Sequence, residues 1–171
     1  MTKTRLILAA LLALAATPAL AQSASGSGSI TILRPLTVTK TADLQFGTVV
    51  RPSTGSGTAV ISAAGARSVT GGVAALSSGA TPQAAAFTVA GEGGQSISVT
   101  VPSSFNVTNG TDTLSVTTSN DLSGSASAQT LSNAVGASGS LAVHVGGTVT
   151  VASTNSTGAY TGTFTVSAAY N

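Results

Sequence analysis

Cysteine and tryptophan are absent from this chain of 171 residues. Without cysteine there is no disulfide framework, no thiolate metal site and no residue to carry the lipid of a lipoprotein. Charge is scarce too. Asp, Glu, Lys and Arg make up 6% of the chain, against roughly a quarter in an ordinary soluble domain. That shortage excludes coiled coils and helical bundles, and equally a charged disordered tail. Aromatics stand at 4% and histidine at a single residue, too little for a multi-histidine metal site. What is abundant is small and uncharged. Ser and Thr supply 52 residues and Gly another 20, in a chain that is 42% apolar. This is enough for one hydrophobic core, and the mixture is that of β-rich surface and extracellular proteins.

The first 21 residues read as an address. Lys3 and Arg5 precede an apolar run at 6–16, too short for a bilayer span of about 20 residues, and Ala19-Leu20-Ala21 forms a small-x-small cleavage site. This is the pattern of a secretory signal peptide. Its removal leaves Arg34, Lys40, Arg51 and Arg67 against Asp43, Glu92, Asp112 and Asp121. The remaining chain is formally neutral, with no basic patch for nucleic acid and no transmembrane segment. Net charge near zero also removes the repulsion that opposes self-association.

Period-two alternation recurs along the rest of the chain, and no capped 3.6-residue repeat does. Residues 22–33 form a Ser/Gly/Ala-rich N-terminal extension, and 34–171 is expected to be a single β domain. Ile97, Val99 and Val101 make the cleanest central strand. Asn109-Gly110 is expected to close a type I′ hairpin, Gly91 to Gly94 a second hairpin, and Gly146-Gly147 a two-residue turn between the strands at 141–145 and 149–151. About ten short strands at intervals of roughly 8–12 residues favour an antiparallel β-sandwich.

The C-terminal stretch 158–171 is expected to be one long strand. Tyr160, Phe164, Val166, Ala168 and Tyr170 share one face, and Thr161, Thr163, Thr165, Ser167 and Ala169 the other. Such a strand buries one side and wets the other. Apolar investment at the extreme end of a chain implies pairing on both edges or a partner still to come.

Here the chain resembles chaperone–usher pilins, which end in an alternating strand with a penultimate aromatic and a Gly fourteenth from the end. Tyr170 is penultimate, and Gly158 is fourteenth counting back from Asn171. The stretch 141–171 and the Leu44-Gln45-Phe46-Gly47 segment also resemble domain of unknown function 4402, a widespread alphaproteobacterial family, and the related spore-coat-protein-U-type pilins. The resemblance implies an all-β, immunoglobulin-like antiparallel β-sandwich one strand short. Its groove would be filled first by a periplasmic chaperone and then, through an usher, by the N-terminal extension of a like subunit, a case of β-augmentation. It implies subunit or chaperone interaction at Gly158, Tyr160, Phe164, Val166, Ala168, Tyr170 and Asn171. The possible donor strand presents Ala24, Gly26, Gly28, Ile30 and Ile32 on one parity. This chain departs from the pattern in lacking a disulfide and in the small side chains at 24, 26 and 28, so residues 22–29 can be a donor or a linker.

Chemistry is nearly missing. His144 lies on the polar parity of its strand and is expected to face solvent. No Gly-x-Ser-x-Gly elbow surrounds a serine, and the four acids form no calcium loop. Asn106, Asn109 and Asn155 head glycosylation sequons, which arise by chance in Thr-rich chains. The expectation is a protein that is not an enzyme and takes no cofactor: an exported pilin-like subunit of the periplasm and then the cell surface, polymerising by strand donation. The alternative is a complete, monomeric β-sandwich serving as an adhesin or carbohydrate-binding module through loops such as 119–129.

Overall fold

Alternating apolar and polar residues become strands where each can find a partner, and the computed structural model describes the result for residues 22–123 and 128–171. The expected leader at 1–21 and the middle of the 121–128 loop lie outside the described residues. Residues 22–31 belong to a unit of their own; they are exposed and carry no ladder. The unit Ile32–Asn171 is all-β. Its strands are β1 (Thr37–Ala42), β2 (Val49–Val50), β3 (Ser56–Ile61), β4 (Arg67–Val69), β5 (Ala74–Ala75) and β6 (Ala85–Glu92). They continue with β7 (Ser96–Thr100), β8 (Ser104–Thr108), β9 (Thr113–Asn120), β10 (Gln129–Thr130), β11 (Ser138–Ala152) and β12 (Ser167–Tyr170). No described helix is long and apolar enough to cross a membrane.

All pairing between these strands is antiparallel. A seven-stranded sheet runs β1-β6-β11-β3-β4, with β9 also on β11 and β8 on β9. A three-stranded sheet, β10-β7-β12, and the two-stranded β2-β5 complete the sandwich-like fold. The expected all-β sandwich class is thus observed.

The long strand β11 organises the large sheet. Val145 is flanked by Ala85 of β6 and Asn120 of β9, and Val149 by Ala59 of β3 and Val116 of β9. A strand has two edges, so β6 and β3 occupy successive lengths of one edge while β9 follows the other. The two-residue turn expected at Gly146-Gly147 is therefore not there: β11 runs straight through both glycines, neither of which takes a positive φ. Their role is close approach. A Cβ on Gly146 would collide with the Ile61 carbonyl, and one on Gly147 would sit 2.9 Å from Val116 Cγ1.

Two other expected turns also change character. The turn after Glu92 leads from β6 to β7, which lie in different sheets, so it is an arch rather than a hairpin. The β8–β9 hairpin forms as expected, but its loop has four residues. Gly110 takes a positive φ and Asn109 does not. Instead the Asn109 side-chain oxygen accepts from the N–H groups of Thr111 and Asp112, an Asx turn that replaces the type I′ geometry.

Burial follows strand parity in β3, β6, β7, β8 and β12, whereas β1 is exposed on both parities but for its last residue. One core cluster joins Phe87 and Val89 of β6, Ile97 and Val99 of β7, Leu131, Val143 and Val145 of β11, and Val166. Each such side chain contributes on the order of 1.5–3 kcal/mol when fully buried. The second cluster gathers Ala59, Val73, Val116, Val149 and Val151, with Leu44, Phe46, Val49, Phe105, Val107 and Leu114 half-buried against it. That second set leaves apolar surface open.

Candidate functional site

The open surface is the floor of a cleft of about 740 Å³, every lining residue of which falls between Lys40 and Phe164. All four phenylalanines of the chain, Phe46, Phe87, Phe105 and Phe164, line it, together with Tyr160. Five of the six aromatic residues thus meet in one place, in a chain that has almost none. Phe164 stacks at a tilt on Phe105, with centroids 4.8 Å apart, and meets Phe87 edge to face at 5.9 Å. Such ring pairs are favourable beyond the area they bury.

Two stretches of chain form the walls. One is 40–51, which continues from β1. Gln45 exchanges backbone hydrogen bonds with Gln83, and Val49 and Val50 pair with β5. The other is the C-terminal tail. Thr161 exchanges backbone bonds with Thr108 of β8, and β12 pairs with β7. Among the described residues each wall has ladder partners on one edge only. The walls run antiparallel, because Arg51 donates to the carbonyl of Asn155 at one end while the Tyr170 hydroxyl donates to the carbonyl of Arg34 beyond the other.

The tail is less regular than its sequence suggests. A continuous strand was expected over 158–171, whereas the ladder covers Ser167–Tyr170 alone, with a bridge at Thr161. The neighbouring edge is interrupted between β7 and β8 at Pro102, which has no N–H to give. The facing pattern is nevertheless as expected. Tyr160, Phe164, Val166, Ala168 and Tyr170 are buried or half-buried, and Thr161, Thr163, Thr165, Ser167 and Ala169 are exposed. Gly158 begins the tail with φ 141°, a conformation that side chains disfavour. Gly162 lies so close to β8 that a Cβ would run into the Asn106 carbonyl.

Of the tail residues singled out from the sequence, Gly158, Tyr160 and Phe164 line the cleft. Val166 is in the core, and Ala168 and Tyr170 pack against it. Asn171 caps β12, its N–H on the Ser96 carbonyl and its side-chain amide on Ser96 Oγ. Ala24, Gly26, Gly28, Ile30 and Ile32 are exposed, with Ile30 at 85% and Ile32 at 82%. Neither isoleucine is in a strand.

Polar groups brace the cleft at its Asn155 end. Asp112 Oδ2 accepts from the Ser156 N–H at 2.6 Å, and Asn109 donates to Ser156 Oγ at 2.9 Å. The Tyr160 hydroxyl donates to the Ser156 carbonyl at 2.8 Å. The Ser156 N–H and hydroxyl hold the Asp112 carboxyl below its ordinary value, against the opposing effect of burial. On the 40–51 wall, the Arg67 guanidinium donates to the carbonyls of Phe46, Thr48 and Leu76. Sequence reasoning missed Arg67, Asp112 and the convergence of the phenylalanines, since no local pattern encodes them.

His144 is paired with Asp121. Its ring Nδ1 is 2.6 Å from Asp121 Oδ2, and its backbone N–H donates to Asp121 Oδ1. The pair ties the end of β9 to β11. No group of three metal-ligating side chains occurs among the described residues.

An antiparallel, sandwich-like domain with an aromatic-floored cleft between two edges is the class that fold and site define. The chain belongs to the family described as Domain of unknown function (DUF4402), whose model matches residues 36–170. No curated protein and no solved structure matches it.

Proposed function

We propose that this protein is an exported, pilin-like structural subunit whose cleft receives a β-strand from another polypeptide, and whose residues 22–33 are the strand it gives to the next copy. The observation that carries this reading is the cleft itself: two antiparallel edges, each paired on one side among the described residues, bordering a shared lining that holds all four phenylalanines. Unpaired edges over apolar surface are a liability in a monomer and an assembly device in a polymer. Ile30 and Ile32 supply the complementary feature, apolar residues on one parity with nothing to bury them. Head-to-tail donation is a heterologous contact, so it propagates without closing. In this reading a periplasmic chaperone occupies the cleft before an usher passes the subunit into a surface polymer, and the protein is not an enzyme.

The absence of cysteine makes a direct test simple. Ile30→Cys in one preparation is mixed under mild oxidation with Leu44→Cys, Val107→Cys or Leu114→Cys in another. A disulfide requires Cα atoms within about 7 Å, so a mixed dimer with at least one cleft variant is expected. If none of the three forms an intermolecular bond and the chain stays monomeric at high concentration, the freestanding binding module replaces the polymer subunit.

A further inference from the structure

The penultimate residue sits on a polar clasp that the cleft does not explain. The Tyr170 hydroxyl accepts from the Glu92 N–H at 2.7 Å and donates to the Arg34 carbonyl at 2.9 Å. Glu92 is 4% exposed, and its carboxylate takes the Arg34 guanidinium at 2.8 Å and the Gly136 N–H. The Arg34 guanidinium also reaches the Gly136 carbonyl at 2.9 Å. Space for the tyrosine comes from Gly91, where a Cβ would strike the hydroxyl. Four segments therefore meet here: the end of β12, the end of β6, the 133–136 loop and the root of the N-terminal extension.

Tyr170 is the junction because β12 continues the tail that walls the cleft, while Arg34 follows directly on residues 22–33. We propose that Tyr170 is a positioning residue that couples occupancy of the cleft to anchoring of this chain's own extension, so that a subunit holding a second copy's strand presents its donor from a fixed root. The inference rests on the strand-donation reading. Its physical basis is that a strand paired on one edge frays readily. An incoming strand that pairs with the tail steadies it. The hydroxyl transmits that order to Arg34 directly through the carbonyl bond and indirectly through Glu92, whose N–H it accepts and whose carboxylate holds the Arg34 guanidinium. Linkage makes the effect reciprocal: an anchored root favours an ordered tail and hence an occupied cleft.

Hydrogen exchange tests this on the full chain, with and without saturating synthetic peptide of sequence 22–33, in the native protein and in Tyr170→Phe. Peptide is expected to slow exchange across 158–166 in both. In the native protein it is expected to slow exchange at Leu33, Arg34 and Leu36 by about fivefold or more, the lower end of ordinary coupling between sites; in Tyr170→Phe that second effect is lost. A residue that served stability alone would lower protection with and without peptide and leave the peptide-dependent difference in place. Protection of 158–166 with no change at 33–36 in the native protein overturns the coupling and leaves strand donation standing, as does an equal response in Tyr170→Phe. Absence of any protection of 158–166 in the native protein overturns strand donation and the coupling together.

Discussion

Phe164 of the tail lies 4.8 Å, centroid to centroid, from Phe105 of β8, the two rings tilted by 32°. This pair sets the tail against the sheet where no continuous ladder does so. Phe164→Ala is expected to destabilise the domain by about 2 kcal/mol, below the ~3–5 typical of fully buried phenylalanine because the ring is only half-buried. Urea unfolding checks the value. An unchanged midpoint would mean that the tail is held by its backbone alone.

Gly162 offers a sharper test of how closely the tail approaches. A Cβ there meets the Asn106 carbonyl and Val107 Cα, both backbone atoms that cannot swing away. Gly162→Ala is expected to cost about 1–3 kcal/mol, while Thr163→Ala, on the exposed parity, stays within about 0.5 kcal/mol. Equal effects from the two substitutions would contradict the placement of the tail on β8.

Glu92 predicts a pH dependence. The Gly136 N–H, opposed by burial and helped by the backbone and guanidinium of Arg34, holds its carboxyl below the ordinary value of 4.5. The unfolded chain therefore binds the proton more tightly than the folded one. The resulting stability is complete above the ordinary value and is lost as pH falls through the lowered folded value. Asp112, lowered by Ser156, acts with the same sign. Glu92→Gln is expected to reduce stability at neutral pH and to flatten the acid limb of the melting-temperature profile. A variant with the native slope would remove Glu92 from the account.

Gly26 and Gly28 share the parity of Ile30 and Ile32, have open space around them, and take no positive φ. Gly28→Val therefore adds apolar bulk to the proposed donor without straining the backbone. Slower dissociation of the proposed polymer is expected, with an unchanged melting temperature of the domain, as read by sedimentation and thermal unfolding. Faster dissociation would indicate that the cleft is too shallow opposite residue 28.

Parity was readable along the chain because the side-chain period of a strand is two residues, whatever it pairs with. Phe164, Val166 and Tyr170 could thus be assigned to the inner face, and Ile97 and Val99 to a core strand, before any partner was known. Turn composition was a poorer guide. Gly146-Gly147 looks like a hairpin turn in sequence, yet both glycines lie within β11, where only Gly tolerates the Ile61 carbonyl and Val116 so near. Locally, a glycine that bends the chain and a glycine that lets another chain approach are the same letter.

Composition and alternation by themselves determined a charge-poor, all-β chain with an amphipathic tail, since hydrophobic burial and backbone pairing are most of what such residues can offer. Only the tertiary structure decided which edges were left unpaired, that Phe46, Phe87, Phe105 and Phe164 meet across 118 residues of sequence, and that Tyr170 grips Arg34. Alternation specifies a face but not a neighbour. The neighbours follow from sheet order and from Pro102 and Gly162, which settle where the tail can pair and how closely it can lie.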